Sequence, residues 1–350
     1  MSKAGESTNL NIETVTRDVL GTIERERERE IVSRRFGLFD RRETLEQIGE
    51  LLGITRERVR QLEKAVVAKL RISAGKGEVP HLAELQAAVM SELKGMGGVA
   101  KVSELSARLT TDNSKLDQAR VAFLAGLCPK LALVEENDNF YEAVAIADSL
   151  GEKEIKDQVA KIVEAIKKIG EPTAIDKIAE KVGDKDVKHV EALSSISKQI
   201  ASLNGRWGLT KWPMVNPKNI RDKIYVILHE NGKQMHFNEI AAAIKQSSFK
   251  RKDVTTQAIH NELIKDNRFV LIGRGIYALK EWGYKKGTVA DVISEVLKKA
   301  NEPLHRDEIV KRVLKSRYVK ETTILLNLQG KPQFKRVAKA TYTLAEPVEA

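Results

Sequence analysis

The 350-residue sequence has a single cysteine, Cys128, so it can form neither an internal disulfide nor a thiolate metal cage. Gly 22 and Pro 8 are too few for a collagen-like or low-complexity chain. No run approaches the roughly 18 apolar residues needed to span a bilayer. The opening stretch, MSKAGESTNLNIETVTRDVL, lacks the apolar core of a secretory signal. There is no G-x-x-x-x-G-K-[ST] phosphate loop, no G-x-G-x-x-G opening a helix and no H-E-x-x-H. The six histidines are scattered without ligand spacing. Asp184 and Asp186 have no companion signature of a nuclease, and Cys128 reads as a core residue at a helix end. The expectation is a soluble, cytoplasmic, multi-domain protein that is not an enzyme. It has no cofactor, no metal, no membrane contact and no small-molecule substrate.

What is abundant is positive charge, and it is uneven. Residues 1–72 carry 15 Lys+Arg against 13 Asp+Glu, and residues 73–212 carry 19 against 21. Residues 213–345 carry 26 against 13, a net +13. A surplus confined to one third of a chain is an electrostatic footprint for nucleic acid, because Lys and Arg release counterions when they neutralise phosphates. The neutral middle reads as a spacer or a protein-binding surface.

The first seventy residues carry the most specific pattern. A long polar helix is expected from near Asn11 to Leu38, with Val15, Val19, Ile23 and Ile31 near helical spacing. Its alternating run Glu24–Glu30 favours i,i+3 and i,i+4 salt bridges on a solvated face. Thr44 then caps a helix whose inward face is Ile48, Leu51 and Leu52. Gly53 supplies a tight turn, and Gly49 lets two helices approach closely. Thr55 caps the next helix, with Val59, Leu62 and Val66 inward. This is the spacing of a DNA-binding helix-turn-helix.

The stretch RERERE-IVSRRFGL followed by ETLEQIGELLGITRERVRQLEKAVVAKLR closely resembles region 4 of bacterial primary-type sigma factors over residues 10–72. That resemblance implies a promoter-reading module that docks on the flap of the RNA polymerase beta subunit. It makes Arg56, Glu57, Arg60 and Gln61 the base-reading side chains. Their chemistry agrees, since Arg donates two bonds to guanine, Glu accepts from cytosine N4 and Gln pairs with adenine. Thr55, Arg58 and Lys64 would contact the DNA backbone, and Lys69 and Arg71 a phosphate or another protein. No stretch reads as the aromatic region 2 that captures a melted strand, so the protein is not expected to open promoters alone.

After residue 80 the aromatic punctuation Tyr141, Trp207, Tyr277, Tyr342 recurs at intervals of 66, 70 and 65 residues. Each sits in a strand-like stretch preceded by amphipathic helices. The second helix of each unit looks alike: VSELSARL, AIDKIAEKV, HFNEIAAAI and HRDEIVKRV. The expected fold class is therefore mainly α: a sigma region 4 helix-turn-helix followed by about four winged-helix modules, at 82–147, 152–213, 217–282 and 286–345. The last two resemble the HARE-HTH winged helix, also found in a bacterial polymerase delta subunit, which implies a transcription-machinery role.

In the third unit His236, Phe237, Asn238 and Glu239 read as helix-capping and core residues. Lys250, Arg251 and Lys252 precede an expected recognition helix at Thr255–Asp266, and Arg274 marks a Gly-Arg-Gly wing tip suited to a minor groove. In the fourth, Lys335, Arg336 and Lys339 line the wing, and all seven cations are assigned to the DNA backbone. The expected partners are double-stranded DNA and core RNA polymerase. The expected function is a bacterial, nucleoid-associated transcription regulator. Two alternatives stay open: a polymerase-binding interaction protein without sequence readout, and a sequence-independent nucleoid-type DNA binder.

Overall fold

A computed structural model describes residues 11–147, 151–284, 287–315 and 317–345. Residue 10, where the expected first module begins, and residue 286, where the last begins, lie outside the described residues. The chain is mainly helical with small sheets and divides into two compact units, Met1–Lys211 and Trp212–Ala350.

The first unit opens with α1 (Ile12–Gly21), α2 (Glu26–Phe36), α3 (Leu45–Leu52) and α4 (Arg56–Gly75). The single long helix expected from Asn11 to Leu38 is thus two. Asn11 caps α1, its side chain accepting from the Glu13 and Thr14 amides, and the helix stops at Gly21. Ile23 then turns into the core at 6% exposed, and Arg29 donates to its freed carbonyl at 2.9 Å. Burial of Ile23 outweighs the few helical bonds that the break gives up. The Glu24–Glu30 run is less of a solvated ladder than its charges imply. Arg27 also leaves it, donating to the Leu52 carbonyl at the end of α3.

Ile31, Ile48 and Val59, all fully buried, form a small core beneath α3 and α4. Leu51, expected to face inward, is 55% exposed, because Leu45, Ile48 and Leu52 fill the narrow inward stripe of so short a helix. The larger core is shared. Val15, Val19, Val32, Leu38, Val66 and Leu70 pack in one cluster with Leu82, Leu85, Leu105, Val121 and Phe123 from the segment that follows. The first seventy residues therefore close only that small core alone and share the larger one with the segment that follows.

That following segment holds α5 (Leu82–Gly95), β1 (Val99–Lys101), α6 (Val102–Leu109), α7 (Lys115–Ala125), β2 (Leu131–Val134) and β3 (Ala143–Ile146). Cys128 is buried just past α7 with its thiol on the Leu124 carbonyl, and burial pushes its pKa up to about 12. Next come α8 (Glu152–Ile169), α9 (Ile175–Val182), α10 (Val187–Ser195), β4 (Ile200–Leu203) and β5 (Arg206–Leu209).

The second unit repeats the order twice. It has α11 (Ile220–Asn231), β6 (Met235–His236), α12 (Phe237–Gln246), α13 (Thr256–Lys265), β7 (Phe269–Gly273) and β8 (Ile276–Leu279). Then follow α14 (Val289–Ala300), β9 (Leu304–His305), α15 (Arg306–Leu314), α16 (Glu321–Gly330), β10 (Phe334–Ala338) and β11 (Thr341–Leu344).

Among the described residues three of the four sheets have three strands, in the orders β1-β3-β2, β6-β8-β7 and β10-β11-β9, and β4-β5 is a lone hairpin. The short strand before the second helix of the first, third and fourth units was not legible as a strand, since two or three residues carry no alternation. Trp207, Tyr277 and Tyr342 sit on β5, β8 and β11, but Tyr141 lies ahead of β3 and is 42% exposed. Val144 holds the position that Tyr277 holds elsewhere: it pairs with Ala100 and Leu133 as Tyr277 pairs with Met235 and Leu271. The Tyr141 stretch pairs instead with the next segment, its amide donating to the Ile196 carbonyl at 2.9 Å while Lys198 donates to Asn139 at 2.8 Å.

Candidate nucleic-acid interface

The α3–α4 corner is set by local chemistry. Thr44 and Gln47 form a reciprocal capping box at the start of α3, and the Thr55 hydroxyl accepts from the Arg58 amide at the start of α4. Gly53 closes α3 in the left-handed region at φ 64. A Cβ at Gly49 would come within 2.7 Å of the Ile54 carbonyl oxygen, so only glycine allows this approach.

The corner brings Arg56, Glu57, Arg60 and Gln61 together on the first two turns of α4, exposed except for the half-buried Arg60. They are already cross-linked. Arg60 Nε donates to Glu57 Oε2 at 2.8 Å, Gln61 Nε2 to Glu57 Oε1 at 3.4 Å, and Arg56 pairs with Glu46 at 2.9 Å. Arg60's hydrogen bond holds the Glu57 carboxyl below the usual carboxylate range, and Glu57 raises Arg60 in return. Glu57, Arg60 and Gln61 thus hold one another, and Glu46 of α3 holds Arg56, before any ligand arrives. Thr55, Arg58 and Lys64 are exposed around it, with Arg58 reaching Gln61 at 3.4 Å. Arg71 is committed elsewhere, donating to the Gly126 carbonyl at 2.9 Å.

The two C-terminal basic clusters lie in the second unit. Lys250, Arg251 and Lys252 occupy the exposed loop ahead of α13, with Arg251 in the left-handed region at φ 55. Beneath them is Lys223 of α11, which the sequence did not single out. It is only 4% exposed, and its ammonium donates to the Lys250 carbonyl at 2.8 Å and the Arg251 carbonyl at 2.7 Å. Among the described residues no carboxylate pairs with it. Burial and then the charge of Arg251 pull its pKa below the usual lysine range. A buried cation among cations favours a nearby anion.

Arg274 is exposed in the two-residue turn joining β7 to β8. Only Gly275 of the two wing glycines needs its freedom, at φ 69. Lys335 and Arg336 are exposed on β10, an edge strand with a bulge between Arg336 and Ala338, and Lys339 is exposed in the turn after it. His236 to Glu239 cap α12: the His236 ring accepts from the Asn238 amide and Glu239 accepts from the His236 amide.

The third helices of the four units differ sharply. Arg120 of α7 is 6% exposed, donates to the Leu38 carbonyl at 2.8 Å and pairs with Glu13 at 3.0 Å, so α7 faces α1 and the end of α2. Next to it, Phe123 meets Phe36 with ring centroids 5.0 Å apart. On α10, His189 Nδ1 lies 2.7 Å from the Gly97 carbonyl oxygen, and a Cβ at Gly97 would reach Lys188 O at 2.5 Å. α7 and α10 are covered from within the first unit, whereas Gln257, Asn261 and Ile264 of α13 and Leu326 of α16 are exposed.

No group of three or more metal-ligating side chains gathers among the described residues, and no helix there is long and apolar enough to cross a membrane. Residues 25–71 match the family model of sigma-70, region 4. Over 55 residues the chain is 51% identical to the RNA polymerase sigma factor SigA of Bacillus sp, covering 15% of this chain and 14% of that protein. Over 55 residues it is 47% identical to the RNA polymerase sigma factor sigB of Arabidopsis thaliana, covering 15% of this chain and 9% of that one. The chain thus spans a small fraction of these relatives. Residues 25–71 form a sigma-70 region 4 domain.

Proposed function

We propose that this protein is a DNA-binding transcription regulator that works with RNA polymerase. Its region 4 domain reads bases with Arg56, Glu57, Arg60 and Gln61, while Thr55, Arg58 and Lys64 hold the adjoining phosphates. The four helical units with their hairpins act as winged helices, the last two akin to HARE-HTH. In the second unit Lys250, Arg251, Lys252, Arg274, Lys335, Arg336 and Lys339 grip the DNA backbone. Core polymerase is engaged through the flap of its beta subunit, and the protein works in the bacterial cytoplasm on the nucleoid, without catalysis of its own.

The observation that carries this reading is the quartet on the first two turns of α4, three of its side chains bonded to one another and Arg56 to Glu46, inside the segment that matches sigma-70 region 4. Arg56→Ala or Gln61→Ala should cost about 1–3 kcal/mol on a selected duplex and little on random DNA, in a binding titration. Equal losses on both would remove direct readout. A second reading, a polymerase-binding protein without base readout, draws on charge. Residues 1–211 carry 34 Lys+Arg and 34 Asp+Glu, so that unit as a whole has no net charge to draw it to DNA. Co-purification of residues 1–211 with core polymerase, with no duplex preference, would favour it.

A further inference from the structure

The outward face of α13 has a composition that phosphate contact does not require. Gln257, Asn261 and Ile264 fall at i, i+4 and i+7, one stripe along the helix. All three are exposed, Ile264 at 62%. Gln257 Nε2 donates to Asn261 Oδ1 at 3.1 Å, which leaves the Gln257 oxygen and the Asn261 amino group pointing outward as a neighbouring acceptor and donor. Adenine presents the complement in the major groove, the N6 amino donor beside the N7 acceptor, and its partner thymine adds a methyl group. An exposed isoleucine next to paired amides suits that methyl. Glu262, the one carboxylate of α13, lies off the stripe, bordering a cleft with Ile220 and Arg221 at the start of α11.

The other third helices lack this combination. α7 and α10 are covered from within their own unit, and α16 starts with the exposed carboxylate Glu321 and presents Leu326 without an amide pair one turn before it. Only α13 also follows a loop of three cations that a buried lysine ties down.

We propose that Gln257, Asn261 and Ile264 form a second base-reading face, which recognises an A·T element in the major groove of duplex DNA separate from the bases met by α4. The proposal rests on the reading that the second unit contacts DNA. The test is selection of bound duplexes from a random pool by the full chain, followed by titration of variants. The selected pool should contain an A·T element that persists with Arg56→Ala. The double variant Gln257→Ala/Asn261→Ala should bind a duplex with that element about tenfold or more weakly, and a duplex with G·C in its place equally well. Its slope of log affinity against log salt should not change, since no phosphate contact is lost. Equal weakening on both duplexes, or none, would overturn the proposal. Lys250→Ala/Arg251→Ala/Lys252→Ala should lower the salt slope by about 2–3. An unchanged slope there would strike the underlying reading, whatever the amide variant does.

Discussion

The two units solve different problems with similar parts. In Met1–Lys211 the charges cancel, 34 against 34, and the third helices α7 and α10 are spent on internal packing. In Trp212–Ala350 there are 26 Lys+Arg against 15 Asp+Glu, and α13 and α16 keep their outward faces. A helix–helix–helix–hairpin unit is therefore not committed to DNA by its order of elements. What decides its use is whether its third helix is covered and what charge surrounds it. On the proposed function, the first unit is a frame that holds one recognition helix, and the second is a grip.

The comparison predicts its largest contrast in salt dependence. Residues 212–350 should lose about 10³–10⁵ in duplex affinity between 50 and 200 mM salt if six to ten phosphates are held. Residues 1–211 should show a much shallower slope. Equal slopes in the same titration would erase the distinction between frame and grip.

The next effect is on stability. Phe123→Ala removes a buried ring from the core shared by α1, α2, α4 and α7, and should cost about 3–5 kcal/mol in denaturant unfolding. Residues 11–75 should unfold together with 82–147 in one transition. Two separate transitions would mean that the region 4 domain closes its own core. A smaller loss is expected at Gly97, where φ is +89 and an added Cβ meets Lys188 O. Gly97→Ala should cost about 1–3 kcal/mol. A neutral result would show the seam between α10 and the 97–98 turn to be soft.

The smallest effect is expected at Lys223. Lys223→Met keeps the stem but removes the two charge-assisted bonds that hold the Lys250–Arg251 backbone. Duplex binding by the second unit should weaken by about 1–2 kcal/mol, with its unfolding temperature little changed. No change in binding would mean that the loop keeps its shape without the clamp.

These contrasts also mark where sequence reading stopped. The helix-turn-helix was legible because its signals are local: caps at Thr44 and Thr55, glycines at 49 and 53, and an apolar stripe repeating every three to four residues. The charge map was legible by counting. The covering of α7 was not, because it depends on Arg120 meeting Leu38, 82 residues away, and nothing in LDQARVAFLA says which surface it will face. Lys223 carried no signal in the sequence; only the fold puts the 250–252 loop over it. Tyr141 misled for a related reason. An aromatic at the expected interval looks like a strand residue, yet this one serves the junction with the 196–199 backbone, and Val144 fills the core.

The central claim is that base reading in the first unit belongs to the quartet on α4. The most direct test titrates residues 1–211 against a duplex selected by the full chain and a scrambled duplex of equal length, at 0.1 and 0.3 M salt. The account predicts about tenfold or greater preference for the selected duplex, kept at the higher salt and abolished by Arg56→Ala/Gln61→Ala. Equal affinity for the two duplexes, or a preference that survives the double substitution, would contradict it.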